Sequence, residues 1–337
     1  MMIKVGLIGC GFMGGMHAAC YKVLESEGVK VTAVADVRPE FAKKLADMSG
    51  AEIYACGMDL IEKADVDVID ICLPTHLHTA HGVAAMKKGR NLFLEKPVCL
   101  KEEEMEELLK TEKETGVKVQ IGQVIRQFAA YIWLKGVVDS KEFGAVRSGQ
   151  FRRLSSLPTW AWENWLHTPE QSGTVTVDMH VHDADFIRYI LGEPKAIQSM
   201  ANRDAEGVIQ QIYTQYDYGN GVAVTAEACW DYPADFPFTA DYIVKFEKAT
   251  VQLKDGVVTV YPKEGGSYAA ELPAEYEGEN DIGGNVSSLG GYYTELKYFV
   301  DGLQGKNDLS IATLADAIES VRLVKKEVEA AGGAVKK

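Results

Sequence analysis

Residues 3–14 read IKVGLIGCGFMG, an apolar run that leads into three glycines, Gly9, Gly11 and Gly14. The apolar half predicts a strand and the next residues predict a helix, so this GxGxxG pattern lies at a strand-to-helix turn. There the first glycine permits a tight bend, the second admits a pyrophosphate, and the third lets helix and strand pack closely. The helix start, at Phe12 and Met13, would offer its positive dipole end to the phosphates. The segment predicts a dinucleotide-binding βαβ unit.

Outward from this segment, the first 120 residues alternate short apolar runs with amphipathic ones. The runs VTAVAD, VDVIDICLP and NLFLEKP are apolar at nearly every position, which is typical of parallel strands covered by helices on both faces. We therefore predict an α/β fold whose N-terminal domain, residues 1–122, is a Rossmann domain with a parallel sheet.

Beyond residue 122 the segments lengthen and alternate in polarity, as in GAVRSGQFRRL and GVIQQIYTQYDYG. Such segments predict a C-terminal α+β domain, residues 123–337, with a large, mostly antiparallel open sheet. The glycine-rich segment 277–291 predicts a mobile loop. A final helix at 311–330 is expected to pack back on the Rossmann domain.

The composition narrows the possible partners and locations. The chain has 337 residues, is 47% hydrophobic and carries a net charge of −14, so it lacks the basic surface that nucleic acid requires. Because no apolar run reaches membrane-spanning length and the first residues do not read as a signal peptide, we predict a cytoplasmic protein without a membrane partner. The cysteines show no metal or disulfide spacing, so we expect reduced thiols.

Asp36 indicates which dinucleotide is bound. It ends the second apolar strand, about 20 residues past Gly14, where a carboxylate binds the ribose 2′-OH and repels a 2′-phosphate. This position favours NAD over NADP. Arg38 leaves NADP open, because an arginine there could pair with a 2′-phosphate.

The tripeptide Glu95, Lys96 and Pro97 follows the strand NLFL, at a carboxyl end where open α/β sheets bind ligands. Alone, it would be interpreted as solvated surface, where Lys and Glu usually lie. Together with GLIGCGFMG, PTHLH and SGTVTVDMHVHDADFIRYILG, however, LEKP resembles the family of glucose–fructose oxidoreductase, inositol dehydrogenase and MocA (Gfo/Idh/MocA), over essentially the whole chain. The resemblance implies an NAD-dependent oxidoreductase that acts on a secondary alcohol of a sugar, anhydro-sugar or cyclitol.

The same resemblance implies roles for individual residues. The catalytic group is Lys96, Asp178 and His182. The residues implied beside the nicotinamide half of the cofactor are Pro74, Thr75, His78, Glu95, Lys96 and Gln123. Arg126 lies where family members carry an arginine near the substrate, although a surface arginine is the alternative. Thr75 could also act simply as a helix cap.

The chemistry of alcohol oxidation fits this catalytic group. A base must take the hydroxyl proton, and we assign His182 as that base, and as the acid in reduction. Lys96 would stabilise the alkoxide-like charge that develops on the same oxygen. Asp178, four residues before His182, would share its helix face and could orient the imidazole or bind a second hydroxyl. Its alternative role is a helix cap.

The sequence departs from the family pattern at His180, where glycine is usual, and at Thr174, where a further glycine is common. The added imidazole of His180 could narrow the pocket or contact the substrate. Asp178, His180, His182 and Asp183 also have metal-ligand spacing, but hydride transfer needs no metal and none is predicted. Trp165 precedes this segment and is predicted beside the pocket, with core or oligomer packing as the alternative.

Two other functions remain open at this point. Lys96 and His182 would also suit an NAD-dependent glycoside hydrolase that works by oxidation and elimination. A non-catalytic, nucleotide-sensing regulator could keep the fold without turnover. The open sheet further predicts a homodimer or homotetramer.

Overall fold

The computed structural model describes residues 2–277 and 288–333. The chain divides into two compact units. Unit 1 contains Met1–Phe128 and Glu275–Ile318, and unit 2 contains Ala129–Ala274 and Glu319–Lys337. The predicted domain boundary lies after Gly122, and the first division between the units lies after Phe128. Most of the predicted loop 277–291 lies outside the described residues.

Unit 1 is built on a parallel sheet. Its strands are β1 (Ile3–Ile8), β2 (Val29–Ala35), β3 (Glu52–Tyr54), β4 (Val68–Ile71), β5 (Asn91–Glu95) and β6 (Val119–Gly122). The six strands lie in the order β3-β2-β1-β4-β5-β6, and each neighbouring pair is parallel. Every residue of β4 and β6 is buried, as expected for strands with both faces covered. The predicted Rossmann fold is confirmed.

Helices connect these strands. They are α1 (Phe12–Leu24), α2 (Pro39–Ser49), α3 (Gly57–Lys63), α4 (His78–Lys87) and α5 (Glu102–Thr115). α2 shows how the sequence sets the bounds, since Pro39 is its first residue and Gly50 ends it in the left-handed region at φ 73°. Its Ala42, Leu45 and Ala46 are buried, and this apolar stripe faces the interior.

Unit 2 combines helices with a wider sheet. Its elements are α6 (Ala129–Ser140), β7 (Val146–Ser156), α7 (Pro169–Ser172), α8 (Val181–Leu191), β8 (Ala196–Arg203), β9 (Ile209–Asp217), β10 (Ala223–Tyr232), β11 (Thr239–Phe246), β12 (Ala249–Lys254), β13 (Val257–Pro262) and β14 (Tyr268–Ala269). The eight strands follow the order β14-β13-β12-β11-β7-β10-β9-β8. β7 and β10 are parallel, and the other neighbouring pairs are antiparallel. The predicted, mostly antiparallel sheet is confirmed.

One face of this sheet covers the core of unit 2. Along β9, Ile212 and Tyr216 are fully buried, whereas Tyr213 between them is 39% exposed. The large side chains in this interior include Phe151, Phe186, Tyr242 and Trp230. The alternation of strand residues thus separates a buried face from an open one.

The chain closes with α9 (Gly290–Leu303) in unit 1 and with α10 (Leu314–Ala330), whose first residues belong to unit 1 and whose remainder belongs to unit 2. The 3₁₀ turns are Glu25–Glu27, Thr75–Leu77, Val124–Gln127, Trp162–His167 and Ser310–Ala312. Within the described residues, none of the helices has both the length and the apolar character needed to cross a bilayer.

Candidate active site

The glycine loop between β1 and α1 leaves no room for a side chain at Gly9 or at Gly14. A Cβ atom on Gly9, whose φ is 90°, would lie 2.5 Å from the carbonyl oxygen of Cys72, and one on Gly14 would lie 1.9 Å from that of Gly9. Both distances are far below van der Waals contact, so glycine is required at both positions. α1 begins at Phe12 with no side-chain cap and no acidic residue in its first turn. Its positive dipole end therefore suits an anion such as a pyrophosphate.

Asp36, directly after β2, is held against this loop. Its carboxylate accepts the backbone N–H groups of Cys10 and Arg38, each at 2.8 Å. The Arg38 guanidinium donates to the same carboxylate at 3.0 and 3.1 Å and lies over the Phe41 ring. A Cβ atom on Gly11 would lie 3.5 Å from this guanidinium. The acid and the arginine that the sequence singled out therefore form one pair beside the glycine loop.

The His78 ring contacts both loops that follow β4 and β5. Its Nδ1 lies 2.8 Å from the carbonyl oxygen of Pro97, and its Nε2 lies 2.8 Å from that of Leu73. Burial lowers the pKa of His78, although the two carbonyl oxygens act in the opposite direction. Both ring nitrogens thus contact backbone, and the structure gives His78 a positioning role in addition to the cofactor contact predicted for it.

Two buried side chains near these loops have polar atoms without a partner. Among the described residues, no hydrogen bond reaches the Thr75 hydroxyl or either end of the Gln123 amide, and these residues are only 2% and 1% exposed. Thr75 does not cap α4, because Leu77 occupies the cap position. An unpaired buried polar group costs about 1–3 kcal/mol. These atoms, the glycine loop and Asp36 fit a polar ligand such as a dinucleotide.

Lys96 follows β5, and its backbone is fixed by the preceding residue. The buried Glu95 carboxylate accepts the Lys96 backbone N–H at 3.1 Å through Oε2 and lies 3.1 Å from His17 Nε2 through Oε1. A Cβ atom on Gly122, in the neighbouring strand β6, would lie 2.9 Å from Glu95 Oε1. Gly122 therefore makes room for the carboxylate beside the predicted catalytic lysine.

His17 belongs to a cluster that the sequence analysis missed. His17, Asp70 and Cys72 have metal-capable atoms within 4.8 Å of one another, and they are the only such group among residues 2–277 and 288–333. Burial raises the pKa of the Cys72 thiol well above its usual range, which disfavours the thiolate that a metal needs. We therefore interpret the cluster as a hydrogen-bonded one. A signal was present, because His17 lies among the buried apolar residues of α1.

In unit 2, Asp178 and His182 lie where a π-helical turn, Val175–His180, runs into α8. Both side chains are partly exposed, whereas Met179, His180 and Val181 between them are buried. The two residues predicted to be catalytic thus share the partly accessible side of the segment.

His180 differs from the expectation that it contacts substrate. It is fully buried, and its Nε2 lies 2.6 Å from the Glu327 carboxylate on α10. The same carboxylate accepts the Tyr216 hydroxyl at 2.9 Å and the Thr214 hydroxyl at 3.1 Å. The helical turn directs residue 180 inward, so His180 anchors the segment that carries Asp178. Sequence reasoning missed Glu327, because nothing local marks an acid of the final helix as its partner.

The proposed metal-type spacing in this segment does not gather its side chains at one point. Asp183 is buried against the Arg153 guanidinium, at 2.9 and 3.2 Å, while His180 faces Glu327. Two of the four candidate ligands are therefore committed to different partners inside unit 2.

Arg126 and Trp165, both predicted near the substrate, have different surroundings. Arg126 is 3% exposed, and its guanidinium contacts the Asp316 carboxylate and the carbonyl oxygen of Ile311 within unit 1. It is therefore not the surface arginine that was the alternative. Trp165 packs against the unit 2 cluster that contains Val175, so part of its ring serves the core.

Thr174 carries backbone strain directly before the π-helical turn. Its φ of 57° and ψ of −155° lie in a region that is essentially restricted to glycine. We expect Thr174→Gly to stabilise the protein by about 1 kcal/mol, because relief of about 1–3 kcal/mol of strain exceeds the cost of a flexible glycine. Differential scanning calorimetry should show a Tm about 2 °C higher. Thr176→Gly, inside the π-helical turn, is the control and should lower Tm; a lower Tm for Thr174→Gly would contradict the strain.

The sequence matches two family models over most of its length. Residues 3–123 match the model described as "Oxidoreductase family, NAD-binding Rossmann fold", and residues 131–252 match the "GFO/IDH/MocA C-terminal domain". These ranges include the glycine loop, Asp36 and Lys96 in the first model and Asp178 with His182 in the second.

Two curated relatives carry dehydrogenase names, and one solved structure shares the fold. An inositol 2-dehydrogenase of Rhizobium meliloti is 30% identical over 57% of this chain, and the match spans only 56% of that protein, just over half its length. The scyllo-inositol 2-dehydrogenase (NAD(+)) of Bacillus subtilis is 27% identical over 72% of this chain and 71% of its own. An Agrobacterium radiobacter oxidoreductase, solved in complex with NAD+, L-tartaric acid and magnesium, superposes with a TM-score of 0.83 over 98% of this chain and 97% of that one, at 19% identity. The chain therefore belongs to the Gfo/Idh/MocA oxidoreductase family.

Proposed function

We propose that this chain is a dehydrogenase that transfers a hydride between NAD and a secondary alcohol of a small cyclitol, sugar or anhydro-sugar. The observation that carries the proposal is Lys96 at the carboxyl end of β5, in the same compact unit as the glycine loop and Asp36. This edge of an open α/β sheet binds ligands, so a lysine there can act on a substrate that lies against the cofactor. Membership of the family supports the same chemistry.

Residues of unit 1 would hold the cofactor. The glycine loop and the start of α1 suit the pyrophosphate, and the Asp36 carboxylate suits a ribose 2′-OH. The unpaired Thr75 hydroxyl and Gln123 amide would supply polar contacts further along the dinucleotide. Because each of these groups is buried or fixed by the backbone, little reordering is needed on binding.

Asp36 supports NAD as the cofactor rather than NADP. A 2′-phosphate would meet a carboxylate that is already bonded to the Cys10 amide and to Arg38. Repulsion from that carboxylate would offset the attraction of Arg38.

Asp36→Ser is therefore expected to lower the ratio of kcat/KM for NAD to that for NADP by about 100-fold. The variant loses a charged hydrogen-bond acceptor, worth about 1.5–3 kcal/mol, and releases Arg38 to pair with a phosphate. Initial rates with both cofactors measure the ratio. Asp47→Ser, on the exposed face of α2, is the control. An unchanged ratio in Asp36→Ser would contradict the assignment.

The proton and the developing charge are assigned to two residues. We propose that His182 takes the hydroxyl proton in oxidation and returns it in reduction, since an imidazole titrates near neutral pH. Lys96, as an ammonium, would stabilise the negative charge on the same oxygen. The proposal requires both side chains to act on one hydroxyl, with Asp178 orienting the imidazole or binding a neighbouring hydroxyl.

The names of the curated relatives support a cyclitol substrate, because several of them are inositol 2-dehydrogenases. A panel of inositols, hexoses and anhydro-sugars, each with NAD and with NADP, tests the proposal by absorbance at about 340 nm, where a reduced nicotinamide absorbs. We expect at least one member to reduce NAD faster than NADP. Cleavage of a nitrophenyl glycoside without net NADH would instead indicate oxidation–elimination, and NADH binding without any turnover would indicate a sensor.

We also propose a cytoplasmic homodimer or homotetramer. The open face of the unit 2 sheet exposes apolar side chains that lie side by side: Met200 and Tyr213, paired across β8 and β9, are 73% and 39% exposed. Exposed apolar patches of this kind commonly pair in oligomers. Size-exclusion chromatography that gives the monomer mass of 37.0 kDa would contradict the oligomer.

A further inference from the structure

A single buried imidazole connects the glycine-loop helix to the strand that ends at Lys96. His17 lies in the second turn of α1 and is fully buried. Its Nδ1 lies 2.9 Å from an Asp70 oxygen, and its Nε2 lies 3.1 Å from a Glu95 oxygen. An imidazolium carries a proton on each ring nitrogen and can donate to both carboxylates at once. The geometry therefore fits an imidazolium between Asp70 and Glu95.

Each partner of His17 is connected to one part of the proposed site. Glu95 accepts the backbone N–H of Lys96 at 3.1 Å. Asp70 lies on β4, two residues before Cys72, whose carbonyl oxygen would be 2.5 Å from a Cβ atom on Gly9. His17 itself belongs to the helix that starts from the glycine loop. One ring thus joins the glycine loop, the end of β4 and the end of β5.

We propose that His17 is a positioning residue that keeps the glycine loop and the Lys96 backbone in register through Asp70 and Glu95. The proposal rests on the function proposed for this chain. The role differs from that of an ordinary core histidine, because the ring acts through its charge on two functional segments at once. Loss of the ring should therefore weaken both dinucleotide binding and turnover.

The titratable groups around His17 lie on α1, on β4 and the residues after it, on β5 and on α9. These groups are Asp70 and Cys72 from β4 and the residues after it, Glu95 from β5, Glu295 from α9, and Cys20 and Tyr21 from α1. Burial alone would lower the pKa of His17, but Asp70 outweighs it, and the pKa lies well above its ordinary value. Burial, with the Glu95 carboxylate adding to it, raises the pKa of Glu295 well above its usual range. Asp70 thus favours the proton on His17, and burial favours the proton on Glu295.

The raised pKa gives a pH dependence with a defined sign. Because the folded pKa of His17 lies above the unfolded value of about 6.5, binding of its proton stabilises the fold. That contribution is complete below about pH 6.5 and is lost as the pH rises through the folded pKa. A variant without the imidazole lacks this stabilising contribution at every pH, so it has none to lose as the pH rises.

The test compares wild type with His17→Gln, and uses His81→Gln as the matched control, since His81 contacts only a backbone carbonyl among the partners seen for its ring. We expect His17→Gln to raise the Kd for NADH, measured by fluorescence, by about tenfold and to lower kcat by about 100-fold. Its Tm deficit relative to wild type should shrink between about pH 7.5 and pH 9, whereas the His81→Gln deficit should stay constant there, because the lowered pKa of His81 leaves its ring neutral in that range.

An NMR measurement on the wild-type protein covers the case in which His17→Gln does not fold. Long-range ¹H–¹⁵N spectra should show both nitrogens of the His17 ring protonated at about pH 8, well above the ordinary histidine pKa. A neutral ring at that pH, or a His17→Gln protein that binds NADH as tightly as His81→Gln, would overturn the proposal. Both readouts are independent of alcohol oxidation, so a failure of the dehydrogenase assignment would be recognised separately by the substrate panel.

Discussion

Replacement of Lys96 by methionine is expected to lower kcat about 10²–10³-fold at saturating alcohol and NAD. Methionine keeps the length and apolar stem of lysine but removes the ammonium, which stabilises the developing alkoxide in the proposed reaction. Loss of one such donor typically costs about 10²–10³ in kcat. The Kd for NADH should change much less than kcat, because the glycine loop, Asp36 and the buried Gln123 amide remain in place.

Steady-state rates and NADH fluorescence titrations measure the two quantities on the same preparation. Lys110→Met is a suitable control, because Lys110 lies on the exposed face of α5, near Glu114. Its kcat should equal that of wild type. A Lys96→Met protein with wild-type kcat would remove Lys96 from the mechanism, and one that loses only NADH affinity would assign Lys96 to cofactor binding alone.

The second large effect is expected for His182→Gln, which should lower kcat/KM for alcohol oxidation about 10²–10⁴-fold. The base must be neutral to accept the hydroxyl proton, so wild-type kcat/KM for oxidation should rise with pH through the pKa of the free-enzyme imidazole. That rise should disappear in the variant. The pH profile distinguishes loss of the base from simple loss of packing, which would lower rates without changing the profile's shape.

The His81→Gln protein serves again as the control and should keep the wild-type pH profile. If Lys96 and His182 act on one hydroxyl, the double variant should lose less activity than the product of the two single effects, because residues that act as a unit are non-additive. Fully multiplicative losses would argue for independent roles, and an unchanged pH profile in His182→Gln would assign the base to another residue.

The parallel sheet could be predicted because the sequence patterns that mark its strands and its glycine turn are local. β4 and β5 read as short apolar runs, and Gly9 and Gly14 mark a turn whose geometry excludes side chains. The assignment of 275–318 to unit 1 could not be predicted, since the helical pattern of α9 does not specify the surface on which it packs. Long-range pairing depends on contacts that periodicity does not encode.

The same distinction applies to the candidate site. Asp36 could be singled out from sequence because it ends a strand at the edge where parallel sheets bind ligands, whereas Lys96 was singled out by the family resemblance. His180 was expected at the substrate, but its partner Glu327 lies 147 residues further along the chain. His17 is likewise defined by Asp70 and Glu95, which only tertiary folding brings to its ring. Hydrogen bonds between buried polar side chains that are far apart in the sequence can be identified only in the folded structure.

Hydride transfer itself can be followed with carbon-deuterated alcohols. We would incubate the protein with NAD and, separately, with inositols, hexoses and anhydro-sugars deuterated at every carbon, and examine the nicotinamide by NMR. We expect deuterium at C4 of the reduced nicotinamide with at least one of these alcohols, and slower turnover than with the undeuterated compound. Absence of deuterium from C4 with every alcohol, in a protein that binds NADH, would contradict the proposed hydride transfer.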